Sequence, residues 1–270
     1  MFRALVLGVV QGFTEFVPIS SSAHLVLVPF VLGWETPDLP FDVAVHIGTG
    51  LAVVAYFWRE LVGLAAGTVR SLVGRADVRD QANARLTLLL AVGSVPAAIA
   101  GLFLQGLVEG LTDRPEVVAA LLVGTAGILL LGEEVYRRRA ALETRDMTGV
   151  RAADAVLVGV WQALAILPGI SRSGATITGG LLRGLSRDAA ARFSFLLGLP
   201  AIVGAGIVEL PDLTGVDLAT VIGATAVSAA TGFMAIAFLL RYLRTRTMRP
   251  FAAYCVVASA VALAVWLGGR

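Results

Sequence analysis

The stretch Gln11-Gly12-Phe13-Thr14-Glu15-Phe16-Val17-Pro18-Ile19-Ser20-Ser21-Ser22-Ala23-His24 interrupts an apolar segment that runs from about residue 2 to 33. The break leaves two flanks, each about half of the roughly 20 residues that a helix needs to cross a membrane. A second apolar segment, 152–183, is interrupted by Leu167-Pro168-Gly169-Ile170-Ser171-Arg172-Ser173-Gly174. A membrane tolerates such breaks only where the loop is buried in protein or lines a cavity. The two segments therefore predict two re-entrant helix–loop–helix elements.

The composition around these breaks is that of an integral membrane protein. Hydrophobic residues make up 57% of the 270 residues and charged residues 15%, against about 25% charged in an ordinary soluble domain. Long runs rich in Ala, Leu and Gly, without sustained alternation, favour helices over strands. The sequence thus predicts an all-α membrane protein with a single polytopic domain over residues 1–270. Its six transmembrane helices are expected at roughly 42–66, 84–107, 116–136, 187–210, 216–242 and 249–268.

The arginines predict the orientation. All 21 basic residues are Arg, and the formal net charge of +2 does not indicate a nucleic-acid binder. Sixteen of them lie in alternate connections, at 70–85, 137–151, 183–192 and 241–249, which the positive-inside bias makes cytoplasmic. The connections at 35–38, 109–116 and 209–217 are acidic, with Arg114 as their one base. Six spans fit this alternation only if both broken segments return to their own side, with both termini external.

The first apolar run has a second interpretation, because Arg3 before it is also typical of a signal peptide. Gln11 and Glu15 interrupt the run, and no A-x-A-like cleavage site follows. We therefore expect a membrane segment here.

An internal repeat links the two broken segments. Gly8-Val9-Val10-Gln11 is similar to Gly159-Val160-Trp161-Gln162, and Ile19-Ser20-Ser21-Ser22 is similar to Ile170-Ser171-Arg172-Ser173, both at an offset of 151 residues. Chance similarity among low-diversity membrane segments is the alternative explanation. Because the two segments are expected to enter from opposite sides, the similarity predicts an inverted-topology repeat, which places a site at the midplane.

Polar residues that could do chemistry concentrate at the first break. Gln11 and Glu15 are four residues apart and share a helix face, as do Ser21 and His24, three apart. Ser20, Ser21 and Ser22 lie where the next half-helix should begin. Glu15 and His24 are candidate acid–base groups, and Ser21, within reach of His24, is a candidate nucleophile.

The second break supplies groups suited to an anion. Ser171, Arg172, Ser173 and Gly174 open a half-helix, and Thr176 follows one turn later. Backbone N–H groups at a helix N-terminus, hydroxyl donors and a forked guanidinium all suit phosphate oxygens. The sequence therefore predicts that two such helix N-termini meet at the midplane and form a binding site for phosphate.

Each candidate also has a structural interpretation. Any one serine at a helix start is more often an N-cap than a nucleophile. Glu15 and Arg172 could form a buried ion pair. His46, in an apolar run, is expected to be a packing residue, and Asp154 to cap the second half-helix.

The two motifs, 11–24 and 168–176, together resemble those of the undecaprenyl-diphosphate phosphatase family, the bacitracin-resistance type of membrane phosphatase. The resemblance extends to residues 41–60, the Pro96 and Pro200 segments and the total length. It implies release of the terminal phosphate from undecaprenyl diphosphate, a polyprenyl lipid carrier of cell-wall synthesis, at a site open to the outer face of the cell membrane.

The resemblance also implies roles for individual residues. Glu15, Ser21, His24 and Arg172 match the family's functional positions. Ser171, Ser173 and Thr176 match its phosphate-binding motif, and we expect Gln11, Ser20, Ser22 and Gly174 to contact substrate with them. The family's activity is helped by Mg²⁺ or Ca²⁺, and Glu15 is the candidate metal ligand, although Gln11 stands at a position where family members have either Glu or Gln, so a second carboxylate is missing here.

A transporter or flippase of a phosphorylated polyprenyl lipid is the competing hypothesis, because inverted repeats and broken helices are transporter features. Glu15 beside the Ser21–His24 pair favours the enzyme, since a passive anion site has no need of a carboxylate there. A homodimer is a further expectation. The small residues Gly63 and Gly67, one turn apart, more often mark helix packing than a dimer.

Overall fold

The computed structural model of the protein describes residues 1–35, 39–139, 144–209 and 217–269. Over these residues the chain is all-α, and its one β-bridge joins Arg145 to Leu185. The α-helices of the described residues are α1 (Phe2–Phe16), α2 (Ser21–Leu32), α3 (Leu39–Leu72), α4 (Val78–Thr112), α5 (Pro115–Arg139), α6 (Ala152–Leu164), α7 (Arg172–Leu182), α8 (Arg187–Glu209), α9 (Leu218–Leu243) and α10 (Arg249–Leu267).

Both predicted breaks are present. Helix α1 ends at Phe16, because Val17 precedes a proline and adopts the extended conformation that this position favours (φ −64°, ψ 132°). Helix α2 begins after Ser20, whose hydroxyl accepts a hydrogen bond from the Ala23 N–H. In the second segment α6 ends at Leu164 and α7 begins after Ser171, which caps its helix in the same way. The breaks are therefore fixed by proline, glycine and serine chemistry, as the sequence predicted.

Five described helices, α3, α4, α5, α9 and α10, are long and apolar enough to cross a membrane. They correspond to five of the six predicted spans. The sixth, 187–210, is α8, a 23-residue helix. Its first six residues include Arg187, Asp188 and Arg192, and the side chains of 205–209 lie outside the described residues. This helix is long enough to cross, but its described part is not sufficiently apolar.

Several helices extend beyond the predicted apolar stretches. Helix α4 begins at Val78, six residues before the expected start at 84, because Asp77 and Asp80 form a capping box at its N-terminus. The Asp77 carboxylate accepts from the Asp80 N–H at 2.7 Å. Capping, rather than apolar content, sets this boundary.

The four Arg-rich connections meet at one end of the molecule. An arginine of the first connection donates a hydrogen bond to the second connection. The second and third connections are joined by a backbone hydrogen bond. Arginines of the third and fourth connections pair with the same aspartate. The contacts are Arg85 Nη2 to the Val150 carbonyl at 2.9 Å, the Arg145 N–H to the Gly184 carbonyl at 2.9 Å, and Arg244 Nε to Asp188 at 3.3 Å. The charge pattern therefore identified one face correctly. Of the acidic residues in the other three connections, Asp38 and Asp212 lie outside the described residues, as do the side chains of Glu109 and Glu209.

Each broken segment returns to the end at which it started. At the base of the second segment, Asp154 of α6 accepts from Arg183, just after α7, at 2.7 Å, and from Arg145 at 2.6 Å. Asp154 also accepts the Arg151 N–H at 3.0 Å, which confirms that it caps α6. At the base of the first segment, the Arg3 guanidinium lies over the Trp34 ring, 5.6 Å from its centroid. Both segments are therefore helical hairpins.

The two hairpins point in opposite directions along α5. Gly33 and Trp34, at the open end of the first hairpin, line a cavity of about 490 Å³ together with Pro115, where α5 begins. At the other end of α5, Arg139 donates to the Leu182 carbonyl at the open end of the second hairpin, at 2.7 Å. The tips of the hairpins therefore meet along the middle of α5.

Gly63 and Gly67 pack within the chain. A Cβ at Gly67 would lie 2.7 Å from the Asn83 Cβ of α4, and the Asn83 amide donates to the Gly63 carbonyl at 3.1 Å. This pair is a helix-packing feature, as expected, and a homodimer stays a prediction.

Candidate active site

The two hairpin tips meet on the carboxylate of Glu15. Ser21 Oγ donates to Oε2 at 2.5 Å, and Gln11 Nε2 donates to the same oxygen at 3.1 Å. The guanidinium of Arg172 donates to Oε1 through Nη2. The carboxylate side chain is 6% exposed. A hydroxyl, a carboxylate and a guanidinium, predicted from two motifs far apart in the chain, therefore form one buried cluster.

One nitrogen of the Arg172 guanidinium is not used in hydrogen bonds within the described residues. This nitrogen, Nη1, is buried and has no hydrogen-bond partner among them. The guanidinium lies across α8 at Gly198, where a Cβ would come within 1.6 Å of Nη1. Only a glycine leaves room for it there. The described part of the protein therefore leaves one buried donor of this guanidinium unsatisfied, which is costly.

Ser21 owes its position to an unusual residue before it. Ser20 has φ 69° and ψ 99° and is the one non-glycine residue with positive φ in the described part of the chain. Such a conformation costs of order 1–3 kcal/mol and is typical of functional sites. With Ser20 in this conformation, helix α2 begins at Ser21, whose hydroxyl reaches back to Glu15.

The structure does not bring Ser21 and His24 together, contrary to expectation. His24 Nδ1 lies 2.8 Å from the Ser20 carbonyl oxygen, and Nε2 lies 2.8 Å from the Tyr254 hydroxyl of α10. Both ring nitrogens are therefore occupied, and the hydroxyl of Ser21 bonds to Glu15 instead. The prediction of a Ser21–His24 pair was wrong because it assumed a shared helix face, whereas Ser21 is the first residue of α2 and turns back toward α1.

The second tip is anchored to the middle of α5. Thr125 Oγ1 donates to the Gly169 carbonyl at 2.7 Å and accepts from the Ser171 N–H at 2.8 Å. Gly169 has φ 108°, and a Cβ there would lie 2.6 Å from the Val118 carbonyl oxygen, so the position requires glycine. These contacts fix where α7 starts and hence where Arg172, its first residue, emerges.

The remaining hydroxyls predicted to bind phosphate make contacts within the protein. Ser171 Oγ accepts from the Gly174 N–H at 3.1 Å and lies 3.2 Å from Ser173 Oγ. Thr176 Oγ1 donates to the Arg172 carbonyl at 2.7 Å and lies 2.5 Å from Ser194 Oγ on α8. These residues stabilise the N-terminal end of α7, and contact with substrate stays a prediction for them.

The serines of the first tip join the two hairpins. Ser20 Oγ lies 3.2 Å from Ser22 Oγ, and Ser22 Oγ accepts from the Gly169 N–H at 3.4 Å. Contact with substrate stays a prediction for both serines, as it does for Gln11.

His46 is a site residue that the sequence reasoning missed. Its Nδ1 lies 2.7 Å from the Asp42 carbonyl oxygen on α3, and its Nε2 lies 4.0 Å from Glu15 Oε2. The side chain is 32% exposed. One ring nitrogen is satisfied within α3, as expected of a packing residue, and the other lies near the carboxylate of Glu15, which was not expected. A signal was present, because Asp42 and His46 are two polar residues four apart in an apolar stretch, like Gln11 and Glu15.

The residues around Glu15 do not fit a resident divalent cation. Its two oxygens are bound by donors, from Arg172 on one side and from Ser21 and the Gln11 amide nitrogen on the other. Mg²⁺ and Ca²⁺ need several oxygen acceptors. No group of three or more His, Cys, Asp or Glu that could hold a metal occurs in the described residues.

Comparison with known proteins identifies relatives along the whole chain. A family model described as bacitracin resistance protein BacA matches residues 4–261. An undecaprenyl-diphosphatase of Thermomicrobium roseum is 43% identical over 276 residues, covering 98% of each chain. One of Moorella thermoacetica is 43% identical over 270 residues, covering 99% of this chain and 98% of the relative. One of Myxococcus xanthus is 41% identical and covers all of this chain and 90% of the relative.

Proposed function

Since this chain belongs to the BacA family of bacitracin resistance proteins, we propose that it hydrolyses undecaprenyl diphosphate to undecaprenyl phosphate and inorganic phosphate. The reaction recycles the lipid carrier for cell-wall synthesis and gives bacitracin resistance. The observation that carries the proposal is the cluster on Glu15, which joins a hydroxyl, a proton acceptor and a cation in one buried place.

In the proposed reaction the terminal phosphate binds between the two hairpin tips. Arg172 Nη1 and the first N–H groups of α7 hold its oxygens, since a helix N-terminus and a guanidinium both favour an anion. The same groups stabilise the charge that spreads over the phosphoryl oxygens in the transition state. Arg172 thereby spans substrate and Glu15, which fixes the phosphate beside Ser21.

Ser21 Oγ then attacks the terminal phosphorus and passes its proton to Glu15 Oε2, 2.5 Å away. The P–O bond of the anhydride breaks, and undecaprenyl phosphate leaves. Water then attacks the phosphoserine and releases inorganic phosphate. Glu15 transfers the protons that this step requires. Direct attack by water, with Glu15 as its base, is the other route. The Ser21–Glu15 hydrogen bond supports the first.

We propose that six helices, α3, α4, α5, α8, α9 and α10, cross the membrane and that the two hairpins are re-entrant. The hairpins' joined ends and opposite directions along α5 support an inverted-topology repeat. With the Arg-rich end cytoplasmic, the first hairpin opens outward, both termini are external, and the active site opens to the outer face. A cysteine-accessibility experiment at Leu32 and Arg183 tests this placement, which fails if both positions react from the same side.

We further propose that any divalent cation that assists the reaction arrives on the diphosphate of the substrate. The donors around Glu15 support this, because both carboxylate oxygens already accept hydrogen bonds before substrate binds.

Phosphate release by the purified full chain in detergent tests the function. We expect turnover of a polyprenyl diphosphate without any second compartment. Absence of release across a range of pH and with Mg²⁺ or Ca²⁺ added would overturn the proposal and point to transport of the lipid. Acid-quenched phosphoserine at Ser21 distinguishes the two routes of attack.

A further inference from the structure

His24 occupies a position at which the two hairpins differ. Ser20 and Ser171 are equivalent in the repeat and cap their helices alike, but Ser20 has φ 69° whereas Ser171 has φ −67°. Four residues on, the first hairpin has His24 and the second has Ala175. The histidine therefore occurs only where the cap is strained.

The contacts of His24 explain this coincidence. Its Nδ1 lies 2.8 Å from the carbonyl oxygen of Ser20, so a proton on Nδ1 donates to that oxygen. Together with the backbone N–H of His24, which donates to the same oxygen at 3.2 Å, this hydrogen bond holds the peptide group that follows the unfavourable φ and ψ of Ser20. A strained conformation persists only where surrounding contacts determine it. The next residue along is Ser21, whose hydroxyl meets Glu15.

The Ser20 carbonyl decides which nitrogen of His24 carries the proton, and Tyr254 of α10 binds the other nitrogen. The Tyr254 hydroxyl lies 2.8 Å from Nε2, and the two ring planes are 10° apart. Because a carbonyl only accepts, Nδ1 must donate to Ser20, and neutral Nε2 then accepts from the tyrosine. The partner of one ring nitrogen sets the role of the other.

We propose that Tyr254 and His24 are positioning residues that hold Ser20 in its strained conformation and thereby aim Ser21 at Glu15. In this arrangement His24 neither accepts the proton of Ser21 nor contacts the phosphate. The inference deepens the proposed phosphatase function and rests on it for its kinetic tests.

The kinetic test uses variants that separate positioning from base catalysis. His24→Ala should lower kcat about 100-fold, the order of loss expected when a reacting group is misplaced by about 1 Å. In the His24→Asn variant, the amide nitrogen takes the place of Nδ1, and kcat should recover at least tenfold relative to His24→Ala. His24→Gln, which places its amide at the position of Nε2, should not recover.

Glycine at residue 20 provides the sharper test. Glycine adopts positive φ without strain and is a tolerated N-cap. Ser20→Gly should therefore restore part of the kcat lost in His24→Ala, by about tenfold. A general base cannot be replaced in this way. No recovery in either His24→Asn or the Ser20→Gly double variant, while the wild type is active, would overturn the inference.

The part played by Tyr254 is tested by a double-mutant cycle. Tyr254→Phe should lower kcat by about three- to tenfold but add nothing in the His24→Asn background, because coupled residues are not additive. Tyr242→Phe, whose ring packs between Phe238 and Phe251, is the matched control and should behave like the wild type. Additive losses would show that Tyr254 does not act through His24.

A spectroscopic measurement keeps the inference separate from the proposed function. The chain has two histidines, so ¹⁵N-histidine labelling with a His46→Gln variant assigns the ring nitrogens of His24. We expect protonated Nδ1 and unprotonated Nε2 in the wild type, and a shifted Nε2 resonance in Tyr254→Phe, where that nitrogen loses its hydrogen-bond donor. A protonated Nε2 in the wild type would overturn the inference even if phosphate is released. If the labelling result holds but no phosphate is released, the proposed function fails, and the catalytic part of the inference fails with it.

Discussion

The two hairpins have the same helix-capping hydrogen bonds at their tips but carry different reactive side chains there. Ser20 accepts from the N–H three residues on at 3.4 Å, and Ser171, 151 residues later, does so at 3.1 Å. Each capping serine lies 3.2 Å from the hydroxyl of the serine two residues further. The same local sequence, Ile-Ser-x-Ser, therefore builds the same helix start twice.

The difference lies in what each helix start presents. At equivalent positions the first hairpin has Glu15, Ser21 and His24, and the second has Ile166, Arg172 and Ala175. The first thus brings the carboxylate and the hydroxyl, and the second brings the cation. Burying a carboxylate or a guanidinium alone in a membrane is expensive. The two hairpins therefore each supply half of a site, and the charges pair where the tips meet.

Removing the cation from the second hairpin should have the largest effect. Arg172→Ala should lower kcat/KM for phosphate release by about 10³-fold or more, the range seen for arginines that stabilise phosphoryl transfer. Arg172→Lys should recover only part of this, because an ammonium cannot form the guanidinium fork. Arg138→Ala, at the exposed Arg-rich end, is the control. Activity of Arg172→Ala within tenfold of the wild type would contradict the division of roles.

Changing the first hairpin should lower kcat rather than raise KM. Glu15→Gln keeps the shape of the side chain but not its basicity, and should lower kcat about 10²- to 10⁴-fold. Ser21→Ala should lose as much if the serine attacks the phosphorus. Thr14→Val is the neighbouring control, because the Thr14 hydroxyl only bonds to the Val10 carbonyl of its own helix. Near-normal turnover of Ser21→Ala would leave direct attack by water as the route.

Displacing Arg172 without removing it tests the geometry between the hairpins. In Gly198→Ala the new methyl group would occupy the place of Nη1, so the guanidinium must move. We expect a loss of about 100-fold in kcat/KM with little change in stability. Gly204→Ala, on the same helix but facing open space, is the matched control and should remain active. Equal activity of the two variants would show that the position of the guanidinium at Gly198 does not matter.

The shared caps should have the smallest effect. Ser171→Ala should lower the free energy of unfolding by about 1 kcal/mol, as loss of a helix N-cap usually does. Thermal unfolding in detergent measures it. Ser20→Ala should cost at least as much, because an alanine would have to keep the positive φ of Ser20. If Ser171→Ala proves much more damaging than Ser20→Ala, the strain belongs to the second hairpin instead.

Much of the fold was predictable because it depends on local chemistry. Pro18 follows the end of α1, Pro168 and Gly169 lie in the turn after α6, serines cap α2 and α7, and apolar length predicted the five long helices. Residues at the helix ends were less predictable. Helix α4 starts at a capping box in a polar segment that hydropathy does not detect.

The site was predictable in its membership and less so in its contacts. Polar residues in apolar stretches are rare enough to be identified singly, which selected Gln11, Glu15, Ser21 and Arg172. The partner of Ser21 was not predictable, because helical spacing suggested His24 whereas the strained Ser20 directs the hydroxyl toward Glu15. Tyr254, far away in the sequence, carried no local signal.

The sequence by itself determined the helical class, the two breaks, the Arg-rich face and the family. The first three follow from apolar length, turn chemistry and charge placement, which act over a few residues, and the family follows from the resemblance of the motifs 11–24 and 168–176. Only the tertiary structure decided that Glu15 joins Ser21 to Arg172, that His46 lies beside it, and that Tyr254 reaches His24. Such contacts depend on how helices distant in sequence pack against one another, and a few ångströms decide which hydrogen bond forms.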